Sequence, residues 1–187
     1  MLTRRLDDNG AYLELLQTRH SEQLFAMLKA DWEYFSEWMP NLLQEDYSVA
    51  DSAGFIQNSL NRFADGTEIG AAIRQNEKLV GFIGLKSINA RHRTANIGYF
   101  LSASAQGAGL VTKACRAMLD YAFGELKLNR VDIYCAAENA KSRAVAERLG
   151  FTHEGTLRDA QWLHEKFVDL AVYGMLAHEW EGVNRKA

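Results

Sequence analysis

A glycine-rich turn separates a strand-like run from a helix-like run in the second half of the chain. The strand-like run covers residues 95–102, the helix-like run covers residues 110–126, and Gly107 and Gly109 lie between them. At the start of a helix, several backbone N–H groups have no partner inside the helix and can bind an anion. Glycine has no Cβ atom, so an anion can approach the main chain and φ can be positive without strain. The pattern predicts a phosphate-binding turn, with a tight turn that binds nothing as the alternative.

Two common phosphate loops do not match this turn. The string Gly-x-x-x-x-Gly-Lys-Ser/Thr does not occur in the sequence. A dinucleotide fingerprint would need a third glycine where Thr112 stands, and a single strand-helix-strand unit surrounds the turn. A nicotinamide cofactor is therefore not expected.

A third pattern, Gln-x-x-Gly-x-Gly/Ala after a strand that reads Ile-Gly-Tyr, resembles the acyl-CoA pyrophosphate loop of the GNAT N-acetyltransferase superfamily. Gln106 and Gly109 match it, and Val111 replaces the usual final small residue. Residues 139–151 resemble the second CoA segment of the family, an Asn-x-x-Ser helix that ends in a Gly-Phe turn. Over residues 12–175, the order of elements is similar to the branch that acetylates ribosomal-protein N-termini.

The resemblance implies a site for acetyl-CoA as a co-substrate. It places the diphosphate against the main chain of the turn and the thioester carbonyl against the strand before it. The residues that it assigns to the coenzyme are Phe100, Leu101, Ser102, Gln106, Gly107, Ala108, Gly109, Leu110, Val111, Thr112, Asn139 and Ser142. Lys113 and Arg143 are further candidates for phosphate contacts.

Ser142 is the first candidate for a catalytic role. It follows the predicted helix cap Asn139 by three residues, where its hydroxyl can hydrogen-bond a sulfur that becomes a thiolate. In the resembling branch this serine is the proposed proton donor. Because a serine hydroxyl is a weak acid, we assign it stabilisation first and proton donation second. A cap or a solvated helix position is the alternative.

The general base is where the sequence departs from the family. Relatives often carry a glutamate before Ile-Gly-Tyr or in the strand after Gly-Phe, and those positions here resemble Asn96 and Gln161. Neither side chain can accept a proton, so we predict that the two amides orient a water that relays it. Residues that could substitute as the base, without spacing that selects one of them, are Glu68, Asp159, His164 and His92.

The absence of a carboxylate at the position of the general base affects which acceptor amines can react. The pKa of an α-amino group is about 8 and that of lysine is about 10.4, so near pH 7 about a tenth of the former and under about a thousandth of the latter is neutral. Without a strong base, an N-terminal amine remains a practical nucleophile and a lysine hardly does.

The composition is that of an ordinary globular protein. The chain has 187 residues, 48% of them hydrophobic, and a formal charge of −3 from 21 basic and 24 acidic residues. This length suits one domain over residues 1–187, with a core at about 11–180, and no linker-like segment divides it. The charge gives no general attraction to nucleic acid or to an anionic membrane, and no nucleic-acid site is expected.

Neither metal binding nor export is expected. Cys115 and Cys135 lie outside any Cys-x-x-Cys pattern, and the five histidines show no paired ligand spacing. We predict no metal and no disulfide. Residues 1–30 carry charges throughout, and no apolar run approaches the roughly 18 residues of a membrane span, so we predict a cytoplasmic protein with no membrane contact.

The periodicities predict an α/β fold: a mixed twisted sheet with an antiparallel N-terminal meander, one strand-helix-strand CoA-binding unit and a C-terminal hairpin. Strands are expected at residues 2–7, 11–16, 68–75, 78–88, 94–102, 131–136, 151–163 and 166–180. The crossover between the strands on either side of residues 110–126 should be right-handed.

The local signals add detail to this order of elements. Asn9-Gly10 favours a type I′ hairpin turn, and Thr18 can cap a helix that runs to about Met39, where Pro40 ends it. A second helix should open at the capping box of Ser48 and Asp51, with Phe55, Ile56, Leu60 and Phe63 facing inward. The aromatic residues Trp32, Tyr34, Phe35 and Trp38 either pack in the core or border an acceptor groove.

These observations lead to an acetyl-CoA-dependent N-acetyltransferase whose acceptor is a primary amine, the N-terminal α-amine of a protein first. The alternatives are an enzyme that acetylates a small amine and a catalytically weak acyl-CoA-binding protein. A homodimer is left open.

Overall fold

The computed structural model describes residues 3–39 and 46–184, the last four of these by their backbone alone. Within this part of the chain, the strands are β1 (Thr3–Arg5), β2 (Ala11–Leu15), β3 (Ile69–Gln75), β4 (Lys78–Asn89), β5 (Thr94–Leu101), β6 (Arg130–Ala136), β7 (Thr152–Leu163) and β8 (Lys166–Leu176). The helices are α1 (Ser21–Ala30), α2 (Trp32–Trp38), α3 (Val49–Ala64), α4 (Leu110–Gly124), α5 (Ala140–Arg148) and α6 (Ala177–Asn184).

The strands form a mixed sheet, in the order β1-β2-β3-β4-β5-β6-β8-β7. The consecutive neighbours from β1 to β5 are those of the predicted meander. β5 and β6 are parallel and are joined through α4, as the strand-helix-strand prediction requires. β8 is antiparallel to both β6 and β7, so the C-terminal hairpin enters the sheet through its second strand. The predicted α/β class and topology are confirmed.

The contacts divide the chain into two compact units. The first comprises Met1–Gly84 and Tyr99–Ala114, and the second comprises Leu85–Gly98 and Cys115–Ala187. The chain passes between the units within β4, β5 and α4, so neither unit is a continuous segment.

The core of the first unit is formed where α1 and α3 cover strand residues. Leu24 and Leu28 of α1 and Ile56 of α3 are at most 1% exposed, and they belong to one cluster with Ala72 and Phe82. Their spacing along each helix is that of an apolar stripe, which explains why the helices pack by this face. Burial of this stripe from water is the main stabilisation of the unit.

The core of the second unit contains residues of β6 and β8. Val131 and Ile133 of β6 and Met175 of β8 are at most 1% exposed. α6 closes this unit through Trp180, which is 3% exposed and donates its indole N–H to Asp120 of α4 at 3.0 Å.

The first hairpin differs from the prediction in its turn. A type I′ turn needs positive φ at both central residues, but of Asn9 and Gly10 only Gly10 has it, at +79°. The Asp7 carboxylate instead accepts hydrogen bonds from the N–H groups of Asn9 and Ala11, at 2.9 and 3.1 Å. This aspartate-centred turn is part of a five-residue connection, residues 6–10, and the type I′ prediction is wrong. β1 confirms the predicted strand 2–7 over Thr3–Arg5 and ends two residues before the predicted end, while Leu2 lies outside the described residues.

The helical region after β2 is also subdivided. Thr18 begins a short 3-10 turn whose N-terminal cap is Gln17, so Thr18 is not the predicted cap. The expected single helix breaks at Asp31, whose φ of −113° and ψ of 32° are not helical, and continues as α2. Pro40, the predicted terminator, lies outside the described residues. α3 begins with the predicted reciprocal bonds of Ser48 and Asp51.

Two further expectations are wrong. Phe63 is 43% exposed rather than inward, because it lies in the last turn of α3 beyond the covered stripe. The last strand ends at Leu176 instead of Trp180, because the Glu179 carboxylate accepts the N–H of Leu176 at 2.8 Å and starts α6.

Candidate active site

The glycine-rich turn has the backbone that the sequence predicts. Gly107 and Gly109 have φ values of +81° and +71°, and a Cβ atom built on either would meet no atom within 4 Å. Both glycines are exposed. The glycines are therefore required for the left-handed backbone, while the space above them is open to a ligand.

The turn presents main-chain donors. In the described part of the chain, the N–H groups of Gly107, Ala108 and Gly109 donate to no other backbone group, and the first α4 bond runs from the Lys113 N–H to the Gly109 carbonyl at 3.0 Å. The N–H groups of the first helical turn, Leu110 to Thr112, have no carbonyl four residues before them inside the helix. The positive end of α4 adds to this donor group.

Lys113 does not point freely at the turn. Its ammonium lies 2.7 Å from the Asp7 carboxylate. The hydrogen bond from Lys113 lowers the pKa of Asp7, so the Asp7 carboxylate is charged at neutral pH. A phosphate contact by Lys113 would have to compete with this ion pair.

The strand residues before the turn place their side chains in the core of the first unit. The Phe100 ring packs on Phe82 and Phe35, with centroids 5.4 and 5.7 Å apart, and Leu101 is 6% exposed. Ser102 is 5% exposed and donates its N–H to the Val80 carbonyl at 2.8 Å. Packing therefore accounts for the side chains, and a coenzyme contact by Phe100 or Leu101 would use the main chain.

The second predicted segment lies in the second unit and begins with the predicted cap. The Asn139 side chain accepts the N–H of Ser142 at 3.0 Å, which places Ser142 in the first turn of α5. Gly150 ends the segment with a φ of +81°. Ser142 is half-buried. Burial raises the pKa of the Cys135 thiol of β6, and the Ser142 side chain opposes this rise.

Arg143 is held within its own unit. Its Nε donates to the Tyr173 hydroxyl at 3.0 Å, and one terminal nitrogen donates to the Ala137 carbonyl at 3.3 Å. The Tyr173 hydroxyl in turn donates to Glu147 at 3.0 Å. These bonds tie α5 to β8, so the structure gives Arg143 a structural role and does not indicate a phosphate contact.

Asn96 is the last residue of β5 with a register partner in β6. The pairs are Thr94 with Arg130, Ala95 with Val131 and Asn96 with Asp132, and the β6 residues beyond Asp132 pair with β8 alone. β5 therefore leaves β6 after Asn96. Asp132, at 7% exposure, is a carboxylate beside Asn96 that the sequence analysis did not select.

Asp132 belongs to a charged group. One Arg130 nitrogen lies 2.5 Å from Asp132, and both terminal nitrogens of Arg130 bond Glu154, at 2.7 and 2.5 Å. These bonds raise the pKa of Arg130 and lower that of Glu154. No spacing in the sequence reveals Asp132, because its place beside Asn96 comes from the parallel register.

Gln161 lies elsewhere on the sheet. It is paired with Val168 of β8, after an irregularity between Leu157 and Gln161. Between β5 and β7 the sheet contains β6 and β8, and strand neighbours are about 4.8 Å apart. A single water cannot contact both Asn96 and Gln161 over three such spacings, so any water relay would use one of them.

The substitute bases also have defined surroundings. Glu68 is 2% exposed, and its carboxylate accepts hydrogen bonds from Ser59 at 2.7 Å and from Arg62 at 2.6 Å. Both oxygens of the Glu68 carboxylate are therefore bonded within the first unit. Asp159, His92 and His164 are exposed. The structure does not single out any of these residues as a base.

Neither a metal centre nor a membrane span is found among the described residues. No three histidine, cysteine, aspartate or glutamate side chains there are grouped so that they could hold a metal ion. None of the helices in the same part of the chain combines the length and the apolar sequence that crossing a bilayer requires.

Comparison with known proteins gives the family. The family model described as "Acetyltransferase (GNAT) domain" matches residues 12–152. The putative ribosomal N-acetyltransferase YdaF of Bacillus subtilis is 36% identical over 172 residues, which are 91% of this chain and 93% of that protein. The ribosomal-protein-serine acetyltransferase of Escherichia coli is 28% identical over 166 residues, 88% of this chain and 91% of that one.

A solved structure of similar fold contains the coenzyme. The microcin C7 self-immunity acetyltransferase MccE, in complex with acetyl-CoA and AMP, superimposes with a TM-score of 0.84 at 28% identity, covering 91% of this chain and 94% of that one. The family match, the relatives and the strand-turn-helix geometry agree. This chain is an acyl-transferring enzyme that belongs to the GNAT acetyltransferase family.

Proposed function

We propose that this enzyme transfers the acetyl group of acetyl-CoA to the N-terminal α-amine of a protein, with a ribosomal protein as the first candidate. The amine attacks the thioester directly, without a covalent enzyme intermediate. The observation that carries the coenzyme assignment is the open turn at Gly107 and Gly109, with main-chain donors at the start of α4. Residues 1–187 would act as one acetyltransferase domain, because the family match over 12–152 draws on both compact units.

The turn would bind the diphosphate through its main chain. The N–H groups from Gly107 to Thr112 are donors, and the α4 dipole favours negative charge at this end. The interaction uses the N–H of Val111, so the departure of its side chain from the family pattern is compatible with binding. The acetyl-CoA in the MccE complex supports this assignment.

Two groups would act on the thioester. Main-chain donors of β5 beyond Asn96, where pairing with β6 ends, would polarise the carbonyl. The Ser142 hydroxyl would hydrogen-bond the sulfur as the carbon–sulfur bond breaks, and the amine proton would leave through water. Attack forms the carbon–nitrogen bond and releases coenzyme A.

The acceptor follows from the lack of a strong base. Asn96 and Gln161 cannot take a proton, and Asp132 beside Asn96 is paired with Arg130. An amine that is partly neutral at pH 7 suits such a site, and an α-amine satisfies this condition better than a lysine. The similarity to YdaF and to the ribosomal-protein-serine acetyltransferase over most of the chain supports the same acceptor class, which would place the reaction in the cytoplasm.

A small-molecule acceptor is the second candidate. MccE, at 28% identity and in complex with AMP, has the same fold and is named for self-immunity to a microcin. An acetyltransferase of this fold therefore binds a small molecule, AMP, together with acetyl-CoA, which supports a small-molecule acceptor.

The deciding experiment measures thiol release from acetyl-CoA with a panel of acceptors. The panel contains peptides with free N-termini, the same peptides with blocked N-termini and one internal lysine, and small amines including a polyamine and an aminoacyl nucleotide. We expect release with free N-termini and little with the blocked peptides. Faster release with a small amine would select the second candidate, and coenzyme binding without release from any acceptor would contradict both.

A further inference from the structure

The two oxygens of the Asp7 carboxylate have different partners. Oδ1 accepts the N–H groups of Asn9 and Ala11, at 2.9 and 3.1 Å, and so forms the turn between β1 and β2. Oδ2 accepts a hydrogen bond from the Lys113 ammonium of α4 at 2.7 Å. Asp7 and Lys113 both belong to the first compact unit. The carboxylate therefore connects the first hairpin to the start of α4.

The two partners of this ion pair differ in how firmly they are held. The Asp7 side chain is 13% exposed, and its two turn bonds do not involve the lysine. The Lys113 side chain is 40% exposed and can extend into solvent. Because an ion pair with an exposed partner contributes little stability, it can exchange partners at small cost. Lys113 is therefore the side chain that can move, while Asp7 stays in its turn.

Lys113 lies close in the chain to the main-chain donors that we assign to the diphosphate. Its own N–H donates to the Gly109 carbonyl at 3.0 Å, so its backbone is one helical turn from Gly109. Side chains on a helix lean toward the N-terminal end, which is the end where these donors lie. An ammonium and a phosphate oxygen form a strong, charge-assisted hydrogen bond. The bond to Asp7 holds the Lys113 ammonium away from this use.

We propose that Asp7 restrains coenzyme binding by holding Lys113, and that Lys113 moves from Asp7 to a phosphate group of the coenzyme. This inference rests on the proposed function, in which the turn at Gly107 and Gly109 binds the diphosphate. The Asp7 charge offsets that of the ammonium and opposes an anion nearby. The exchange leaves the Oδ1 bonds of the hairpin turn in place and breaks only the link to α4. The affinity for the coenzyme is therefore lower than the turn and a free lysine together would give.

Asp7→Asn isolates this contact, because an amide oxygen can replace Oδ1 in the turn while the amide nitrogen cannot accept a bond from Lys113. In calorimetric titrations of the full-length protein, we expect coenzyme A to bind about three- to fivefold more tightly than to the wild type, the effect of one exposed ion pair. This gain should shrink as salt is added. Lys113→Met should weaken binding by a similar factor, and in that background Asp7→Asn should change the affinity by less than about twofold.

Asp8→Asn is the matched control. It removes the same charge one residue away, from a side chain that is 98% exposed and pairs with Arg5 at 2.9 Å rather than with Lys113. We expect its affinity for coenzyme A to equal that of the wild type, because solvent and salt screen a fully exposed charge. Dephospho-coenzyme A, which lacks the 3′-phosphate, identifies the group that receives Lys113. The gain in Asp7→Asn persists with this ligand if that group is the diphosphate and is lost if it is the 3′-phosphate.

Three results would each overturn the inference: unchanged or weaker binding by Asp7→Asn, an equal gain in Asp8→Asn, or an equal gain in the Lys113→Met background. If Asp7→Asn does not fold, Asp7→Ser replaces it, since a serine hydroxyl can still accept N–H groups of the turn. Failure of the proposed function would look different, because the wild-type protein itself would then bind no coenzyme A.

Discussion

Gly109 combines a left-handed backbone with open space on the side that we propose for the diphosphate. Its φ of +71° disfavours any L side chain, yet no atom lies within 4 Å of the Cβ position. A substitution would therefore be strained but not sterically blocked, and its side chain would point into the space that we assign to the diphosphate. At this position, the strain that a side chain causes in the backbone can therefore be distinguished from its obstruction of a ligand.

Gly109→Glu should abolish coenzyme A binding, because it adds a negative charge at the main-chain donors of α4. Gly66→Glu is the matched control, since Gly66 has the same φ of +71° and the same open surroundings, far along the chain from the turn. We expect both variants to lose a similar amount of stability, and only Gly109→Glu to lose affinity in calorimetric titrations. Retained affinity in Gly109→Glu would argue against the turn as the diphosphate site.

At the scale of elements, the approach of β4 to β5 depends on Gly81. A Cβ atom there would lie 2.5 Å from the Phe100 carbonyl oxygen and 2.9 Å from the Leu101 side chain. The backbone of β5 would have to move, and this is the strand whose main chain we assign to the thioester. The close approach of Gly81 to β5 should therefore affect both the stability of the protein and its rate of catalysis.

Gly81→Ala should cost about 1–3 kcal/mol of stability, as overpacking against backbone usually does, and it should lower kcat in protein that remains folded. Gly98→Ala, on β5 itself, is the comparison, because its Cβ would meet only the Lys86 side chain at 3.7 Å or more, an ordinary contact. Urea unfolding and initial rates measure the two effects. Equal stability of the two variants would show that β5 does not need the close approach.

The junction of β2, β3 and α1 contains a buried histidine. His20 is 1% exposed, its Nδ1 accepts the Gln17 N–H at 3.1 Å, and its Nε2 lies 3.3 Å from the Glu14 carboxylate. Burial lowers the pKa of His20 below its ordinary 6.5, assisted by Arg74 and Arg19 and opposed by Glu14. At a pH near 6.5, His20 therefore stays neutral in the folded state, whereas in the unfolded chain it begins to bind a proton.

Because the unfolded state binds more protons in this range, the free energy of unfolding should fall as pH drops below about 6.5. His20→Gln should remove this slope near pH 6, whereas the exposed His178→Gln should leave it unchanged. Urea unfolding at a series of pH values from 7.5 to about 5 measures the slope. A slope that persists in His20→Gln would mean that another group causes it.

At the scale of the whole molecule, binding of the coenzyme should appear as stability. A ligand at 100 times its Kd adds about 2.7 kcal/mol to the free energy of unfolding, and 1 kcal/mol raises the Tm by about 2–4 °C for a chain of this size. Thermal scans with coenzyme A should show this rise, and pantetheine, which lacks the diphosphate, should give a smaller one. Equal shifts from the two ligands would contradict a diphosphate site that contributes affinity.

Short-range patterns in the sequence predicted the order of the strands, two helix caps and the glycine-rich turn correctly. The Ser48 and Asp51 box, the Asn139 cap and the glycines of the turn depend on hydrogen bonds and φ angles of residues a few positions apart. Such signals can be recognised within a short stretch of sequence, because they depend only on neighbouring residues. The family resemblance used the same short patterns, and the turn that we propose as the coenzyme site was predicted from them.

Tertiary contacts decided the rest. Local geometry is enough to predict an α/β order of elements, a glycine turn at the start of a helix and a capped serine. The tertiary structure alone placed Asp132 beside Asn96 and separated Gln161 from both. These relations are set by strand register and strand order, which join residues far apart in sequence, and no local pattern encodes them.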